Sequence, residues 1–544
     1  MTTLEEALRR AEAKLGEKDY ATLKAVVDAY AYLTELVDDK NTTIARLRKM
    51  LFGEKTEKTA AVTGRQPADG AEGTGVSTAA VSEGDEKTRA EGQPTSHQAE
   101  GHGRNGANAY TGAEKIEVSH TSLQPGDPCP NCGKGVVYET GRPGVLVRLV
   151  GQPPVGAKVY YLQKLRCNLC GKVFTATAPA AMGEEKYDAT VASTIALLKY
   201  GSGMPFNRLE RLQGTVGIPL PASTQWDIVH ALAEQAEPAF EELVRQAAQG
   251  DVVYNDDTTA RILECMGRRA KETAIADDFP KGRKKKTSER KGLFTSGIVS
   301  TREGRQIALF FSGRQHAGEN LTDVLSRRAA DVAAPIQMCD ALSRNVPAEL
   351  ETILAHCLAH GRRQFVDVAD RFPQECRHVL EAIAVIYKND ALVRGRELSP
   401  QARLEFHQTE SGPTMAELRV WLVRQFDEHL VEPNSALGEA IAYMLKHWEK
   451  LTLFLRVPGA PLDNNLCERV LKKAILHRKN ALFYKTHRGA HVGDIFMSLI
   501  HTCELCGADA FGYLTELERH SADVAANPQG WMPWSYRQML AAAL

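Results

Sequence analysis

Residues 461–480 read PLDNNLCERVLKKAILHRKN. Asp463, Asn464 and Asn465 favour a turn or a helix cap. Cys467, Val470, Leu471 and Ala474 then recur at helical spacing and mark one apolar face. Glu468 lies in the first turn of that helix, off the apolar face. Arg469, Lys472, Lys473, His477, Arg478 and Lys479 crowd the polar side. One carboxylate among many cations suits a site that handles phosphate and metal together. The same residues also fit a capping box from Asn465 to Glu468 and an i,i+4 pair of Glu468 with Lys472. The rest of the chain decides between the two.

The chain has 544 residues, room for three or four domains, and its 43% hydrophobic and 25% charged content is that of a globular protein. A formal net charge of -1 excludes a globally basic nucleic-acid binder, so any such surface is local. The N-terminus, MTTLEEALRRAEAK, reads as a charged helix rather than a signal peptide, and no apolar run is long enough to span a membrane. A cytoplasmic, nucleoid-associated protein without a membrane partner is expected. In that compartment the 11 cysteines favour metal over disulfides.

Residues 1–52 read as one helical domain, and 20–52 of it carry heptads. Leu23, Tyr30, Val37, Ile44 and Leu51 form one seam and Val26, Leu33, Lys40 and Leu47 the other, which predicts a coiled coil and a homo-oligomer, a dimer in the first instance. From Gly53 to Ala109 there is no aromatic residue and no Leu, Ile or Met, and residues 53–112 read as a disordered linker. In 113–180, Cys129-Pro-Asn-Cys132-Gly and Cys167-Asn-Leu-Cys170-Gly are matching turns separated by strand-like sequence. Four thiolates from two such turns suit one tetrahedral Zn2+ in a zinc ribbon-like domain. Neither pair has the βαβ context of a redox motif. Cys503 and Cys506 sit in a helix-like stretch and read as core. Residues 181–250 are helical, and a helix beginning near Ser223 after Gly217-Ile-Pro-Leu-Pro fits a helix-turn-helix with 224–235 as reader; a plain helical bundle fits as well.

At Asp251 the pattern changes. DVVYNDDTT reads as a strand, GLFTSGIVST and RQIALFFSG as two more, 318–328 as a helix, PIQMCD as a fourth strand and ILAHCLAHG as a fifth, followed by a helix. Residues 251–375 are thus a mixed α/β sheet in the manner of RNase H, with the expected order three strands, helix, strand, helix, strand. Asp256 and Asp340 end its first and fourth strands, which are neighbours in that layout. A basic run, 281–291, lies between the first two strands. Residues 376–460 are a helical insertion with Trp421 and Trp448 as core anchors. The core resumes over 461–500 with the Glu468 helix, and 501–544 form a C-terminal helical element. The fold class is therefore multidomain α and α/β. Asp256, Asp340 and Glu468 form a set of three acids that can hold two hard cations, Mg2+ or Mn2+, for in-line phosphoryl transfer.

These features resemble the insertion-sequence-66 family of bacterial DDE transposases over most of the chain. The resemblance rests on LRKMLFGEKTEK at 47–58, the two cysteine turns, NDDT around Asp256, QMCD at Asp340, AHGRRQF at 359–365 and, most specifically, LDNNLCERVLKKAILHRKNALF at 462–483. It implies an N-terminal zipper, a zinc-binding DNA-recognition region and an interrupted RNase H-like core whose acids are Asp256, Asp340 and Glu468. The family's usual Ala-Asp-Glu-Thr-Pro is Asn255-Asp256-Asp257-Thr258-Thr259 here. The register stays open by one between the two aspartates, and Asp256 aligns with the family's Asp. The implied activity is binding of terminal inverted repeats, cleavage at the element's ends and joining to target DNA, with accessory proteins of the same element as further partners. His360, Arg363, Arg469 and Lys473 are candidates for phosphate contacts, Lys284, Lys285 and Lys286 for DNA backbone contacts, and Asn464 and Asn465 for shaping the turn before the Glu468 helix. The alternatives are a non-catalytic zinc-dependent DNA-binding regulator, as in a domesticated transposase, and a structure-specific nuclease of the same core.

Overall fold

The computed structural model describes residues 185–266, 292–348 and 350–543, preceded by 154–166, 173–177, 179 and a few shorter stretches, Lys24, 123–128, 130 and 136–137. Apart from Lys24, the heptads and the linker lie outside the described residues, as do Cys129, Cys132, Cys167, Cys170 and the basic run with Lys284, Lys285 and Lys286. The chain divides into two compact units, Met1–Ala68 with Tyr160–Leu544, and Asp69–Val159. In the smaller unit, Pro128 and Val136 form an antiparallel bridge on either side of the first cysteine turn. In the larger unit, β1 (Lys164–Arg166) and β2 (Val173–Thr175) pair antiparallel on either side of the second.

Three helices lead into the sheet: α1 (Ala189–Ala196), continued by a π-helical turn over Leu197–Gly201, α2 (Phe206–Thr215) and α3 (Ala222–Ala247). Buried Gln225 donates to the carbonyls of Phe206 and Leu220 and fixes the turn between α2 and α3. The solvent side of the proposed reading segment carries Ser223, Asp227, Ala231 and Glu234, and Glu234 is paired with Arg488. That face offers hydroxyls and carboxylates rather than cations.

The sheet consists of β3 (Val252–Thr259), β4 (Phe294–Arg302), β5 (Arg305–Gly313), β6 (Ile336–Cys339) and β7 (Ile353–His356), in the order β5-β4-β3-β6-β7. β3, β4 and β5 are antiparallel neighbours, while β6 and β7 run parallel to β3. The expected helix after the third strand is α4 (Ala317–Leu325). Among the described residues between the fourth and fifth strands the expected helix is not formed, and a single 3-10 turn, Ser343–Asn345, is the regular structure there. The connecting sequence holds Pro347, which lacks the N–H a continuing helix needs and breaks the spacing of Leu342, Val346 and Leu350. The fifth strand also ends earlier than expected. Residues 358–368 form α5 (Leu358–Val368), with Leu358, Gly361 and Phe365 buried at helical spacing. A short apolar run does not by itself distinguish strand from helix.

The helical insertion contains α6 (Pro373–Gly395), α7 (Pro400–Glu410), α8 (Gly412–Asp427), α9 (Ala436–Lys446) and α10 (Trp448–Leu451). Its apolar residues Ile383, Leu418, Ile441, Met444 and Trp448 share one core with Met338, Ala355 and Phe365, so it packs on the β6–β7 side of the sheet. Trp448 is buried there, and Trp421 packs at the margin. The chain then returns through α11 (Asn465–Ala481), α12 (His487–Cys506), α13 (Ala510–Arg519), α14 (Ser521–Ala526) and α15 (Tyr536–Ala543).

Helix α12 closes the edge of the sheet. Asp494, Ser498 and Thr502 accept from the backbone N–H groups of Ser312, Phe310 and Ala308 at 2.7, 2.9 and 3.0 Å. Four residues of helix rise about 6 Å and two of strand about 6.7 Å, so the two repeats stay in step over three contacts. A polar stripe at i, i+4, i+8 thereby satisfies an edge that would otherwise pair with another chain. Cys503 is buried on the same helix and Cys506 is half-buried, which fits the core reading of that pair.

Candidate active site

Register alone sets the first part of the site. Tyr254 pairs with Met338, so two residues on Asp256 is level with Asp340 on the next strand. Cys339 pairs with His356, which puts Cys357 level with Asp340. On the other side Asp256 pairs with Gly297. Gly297, Asp256, Asp340 and Cys357 therefore form one row across four strands, each about 4.8 Å from the next. The row faces α11: a Cβ built on Gly297 would meet Leu471 and the Cys467 sulfur, and Cys467 Sγ donates to the Gly297 carbonyl at 3.3 Å.

Asn345, from the 3-10 turn, joins the two aspartates. Its Nδ2 donates to Asp340 Oδ1 at 2.6 Å and reaches Asp256 Oδ1 at 3.4 Å. Its carbonyl accepts from Asn255 Nδ2 and Gln337 Nε2, both at 2.7 Å, which anchors the turn to β3 and β6. Burial pushes the Asp256 carboxyl up to about 6; the Asp257 N–H bond opposes this, and the charge of Asp340 adds to it. A carboxylate so placed is relieved by a bound cation.

Asp257 lies on the opposite face, as strand alternation requires. Its side chain is 1% exposed and held by His316 Nδ1 at 2.8 Å and an Arg344 guanidinium nitrogen at 3.3 Å. Of the two adjacent aspartates, Asp256 faces Asp340 and Asp257 is bonded to His316 and paired with Arg344.

Helix α11 brings Glu468 to the same face. The N-cap of the helix is Asn464 rather than Asn465: Asn464 accepts the Glu468 N–H through its carbonyl and donates from Nδ2 to the Asn255 carbonyl at 3.2 Å. Asn465 N–H is taken by Asp463 Oδ1. The capping box from Asn465 to Glu468 is therefore not formed. At the far end Arg478 bonds Thr258 and Thr259, so α11 is fixed to β3 at both ends. Glu468 Oε1 is buried without a hydrogen-bond partner, and 3.8 Å from it lies His360 Nδ1, also buried and unpartnered. Asn345 Oδ1 and Asn464 Oδ1 are orphaned in the same way. Buried polar atoms are nearly always satisfied, so four orphans around one set of acids indicate a site built for an ion or water.

The other candidates are dispersed. Lys473 pairs with Glu504 at 3.1 Å, Arg469 is exposed on α11, and Arg363 is half-buried on α5. His477 is not on the polar side as expected. It is buried between the rings of Tyr200 and Tyr484, and burial pushes it down to about 3. Asn345 and Cys357 were not singled out by sequence. The Cys357-Leu-Ala-His360 spacing was visible, but reading that stretch as a strand hid it.

A mixed sheet carrying two carboxylates side by side beneath the first turns of α11 defines an α/β protein with a polar site at the ends of β3 and β6. The chain belongs to the transposase IS66 family, whose family model matches residues 185–492, from α1 through the α11 helix and into α12. Three uncharacterized proteins of Sinorhizobium fredii are similar. y4jD is 28% identical over 68% of this chain and 71% of its own length, y4hP 25% over 79% and 77%, and y4qI 26% over 67% and 66%. No solved structure matches. Among the described residues no helix is long and apolar enough to cross a membrane.

Proposed function

We propose that the protein is a DDE transposase with an RNase H-like core, and that Asp256, Asp340 and Glu468 are its catalytic acids. The observation that carries this is the Asn345 amide reaching both aspartates while α11 seats Glu468 on the same face. The strand order β5-β4-β3-β6-β7 and the family membership support it. The orphaned oxygens fit hard divalent cations. Mg2+ or Mn2+, when bound, activates the attacking oxygen and stabilises the leaving one in an in-line displacement. Asp256 and Asp340 hold the ions from the sheet, and Glu468 completes the set from the helix. Asn345 keeps the two aspartates in one orientation, and Asn464 locks the turn that sets the height of Glu468. Arg363 on α5 and Arg469 on α11 supply positive charge for the DNA backbone.

The substrate is the element's terminal inverted repeats, cut to free 3′-hydroxyls that are joined to target DNA. Zinc on the cysteine turns, a zipper-mediated dimer and accessory proteins complete the machinery. The test is a strand-transfer assay with the DNA ends that flank the gene and a labelled target. Joined product in Mg2+ is expected. Cleavage without joining makes the protein a structure-specific nuclease, and binding without either makes it a regulator.

A further inference from the structure

We propose that Cys357, His360 and Glu468 form a binding site for a thiophilic divalent cation, zinc foremost, which shares Glu468 with the Asp256–Asp340 pair. The Cys357 sulfur, a His360 ring nitrogen and a Glu468 oxygen all lie within 4.8 Å of one another. His360 Nδ1 and Glu468 Oε1 are buried, 3.8 Å apart and without hydrogen-bond partners. Two ligands of a tetrahedral zinc at about 2.0 Å stand about 3.3 Å apart, so closing on an ion needs about half an ångström at that pair. Cys357 precedes α5 and His360 follows three residues later, so both are presented from the first turn of one helix. The Asn464 N–H points at Cys357 Sγ at 3.2 Å, the kind of donor that stabilises a coordinated thiolate.

The donor set is what distinguishes this site from the neighbouring one. Asp256 and Asp340 offer oxygen alone and suit Mg2+ or Mn2+. Sulfur, nitrogen and one oxygen suit zinc, and three protein ligands leave a fourth position open. Cys357 is level with Asp340 in the sheet, so the two sites are adjacent. An ion bound through Glu468 to Cys357 and His360 withdraws that carboxylate from the aspartates. Zinc is thereby an inhibitor of the magnesium-supported reaction, a consequence that rests on the transposase reading, whereas the site itself does not.

The test uses the full chain and cobalt(II) as the probe, with wild type, Cys357→Ala and His360→Gln compared. The cysteine turns also take cobalt, so the readout is the difference. Wild type is expected to bind about one equivalent more than either variant, with extra thiolate-to-cobalt charge-transfer absorption. Circular dichroism checks folding, and should Cys357→Ala fail to fold, His360→Gln, whose side chain is partly exposed, carries the comparison. Equal uptake by all three overturns the site. Zinc added beyond the cysteine turns is expected to lower magnesium-supported cleavage about tenfold or more in wild type and less in the variants. Undiminished cleavage in a wild type that binds the extra equivalent overturns the sharing of Glu468. Extra uptake by a protein that cuts no DNA in zinc-free magnesium leaves the site standing and counts against the transposase reading instead.

Discussion

Gly297→Ala tests how closely α11 is seated over the row of acids. Gly297 is opposite Asp256, and a Cβ there lies 2.9 Å from Leu471 Cγ, 3.0 Å from its Cδ2 and 3.6 Å from Cys467 Sγ. Carbon atoms in contact sit about 3.5–4.0 Å apart, so about 0.6 Å of movement is needed. Leu471 and Cys467 flank Glu468 on α11, so the helix that moves is the one that carries the acid. Overpacking of this kind costs about 1–3 kcal/mol. For a cooperative unit of about 360 residues, each kcal/mol is about 1.3 °C in Tm, so a drop of about 1–4 °C is expected by calorimetry. Catalytic groups tolerate about 0.5 Å of displacement, and a misplacement near 1 Å costs about 100-fold, so cleavage is expected to fall about 10- to 100-fold. Leu471→Ala alone costs about 2–5 kcal/mol through the cavity it leaves. In the double variant the added methyl occupies part of that cavity, so the two changes are less damaging together than their sum. Unchanged stability and cleavage in Gly297→Ala, or strict additivity in the cycle, refutes this packing.

Asp257→Asn weakens the bonds to His316 and Arg344, so it is expected to lose about 1–3 kcal/mol of stability yet keep metal-dependent cleavage at a permissive temperature; loss of cleavage in a folded variant makes Asp257 the catalytic residue. Burial raises the Asp494 carboxyl from 3.8 to about 7. The unfolded chain ionises first as pH rises, so this group's contribution is complete below the ordinary carboxylate range and is lost by about pH 7, on the order of 4 kcal/mol. Asp494→Asn, whose amide can still accept from the Ser312 N–H, is expected to flatten the fall in Tm between pH 5 and pH 8, and an equal slope in both proteins excludes this role. Replacing Lys284, Lys285 and Lys286 with Ala is expected to weaken binding to all DNA sequences alike and to lower the salt slope by about 2–3, as measured by anisotropy across salt; an unchanged slope leaves those lysines as a solvated loop.

Much of the fold was legible because it rests on period and register. The aliphatic residues of β3, β4 and β5 and the stripe Cys467, Val470, Leu471 and Ala474 are buried as their spacing predicts. The convergence of Asp256 and Asp340 followed from strand order. What was not legible depends on tertiary context. Cys357 and His360 lie in an apolar run whose strand-to-helix break is decided by the insertion packing on Phe365 and Leu358. His477 looks cationic in a basic stretch, but Tyr200, from a distant helical turn, encloses it. Asn345 belongs to a turn with no periodic signal, and its role appears only once β3 and β6 are side by side. The Asn465–Glu468 spacing satisfied a capping rule that the chain does not use, because Asp463 takes the Asn465 N–H first.

The central claim is that Asp256, Asp340 and Glu468 act as one unit. The most direct measurement is magnesium- and manganese-dependent cleavage of the element's own terminal repeat by Asp256→Asn, Asp340→Asn, Glu468→Gln and their double variants. Each single variant is expected to fold and bind the repeat but not to cut it with either metal, and the doubles to be no worse than the singles, because a unit fails as a whole. Cleavage by Glu468→Gln at near the wild-type rate contradicts the account.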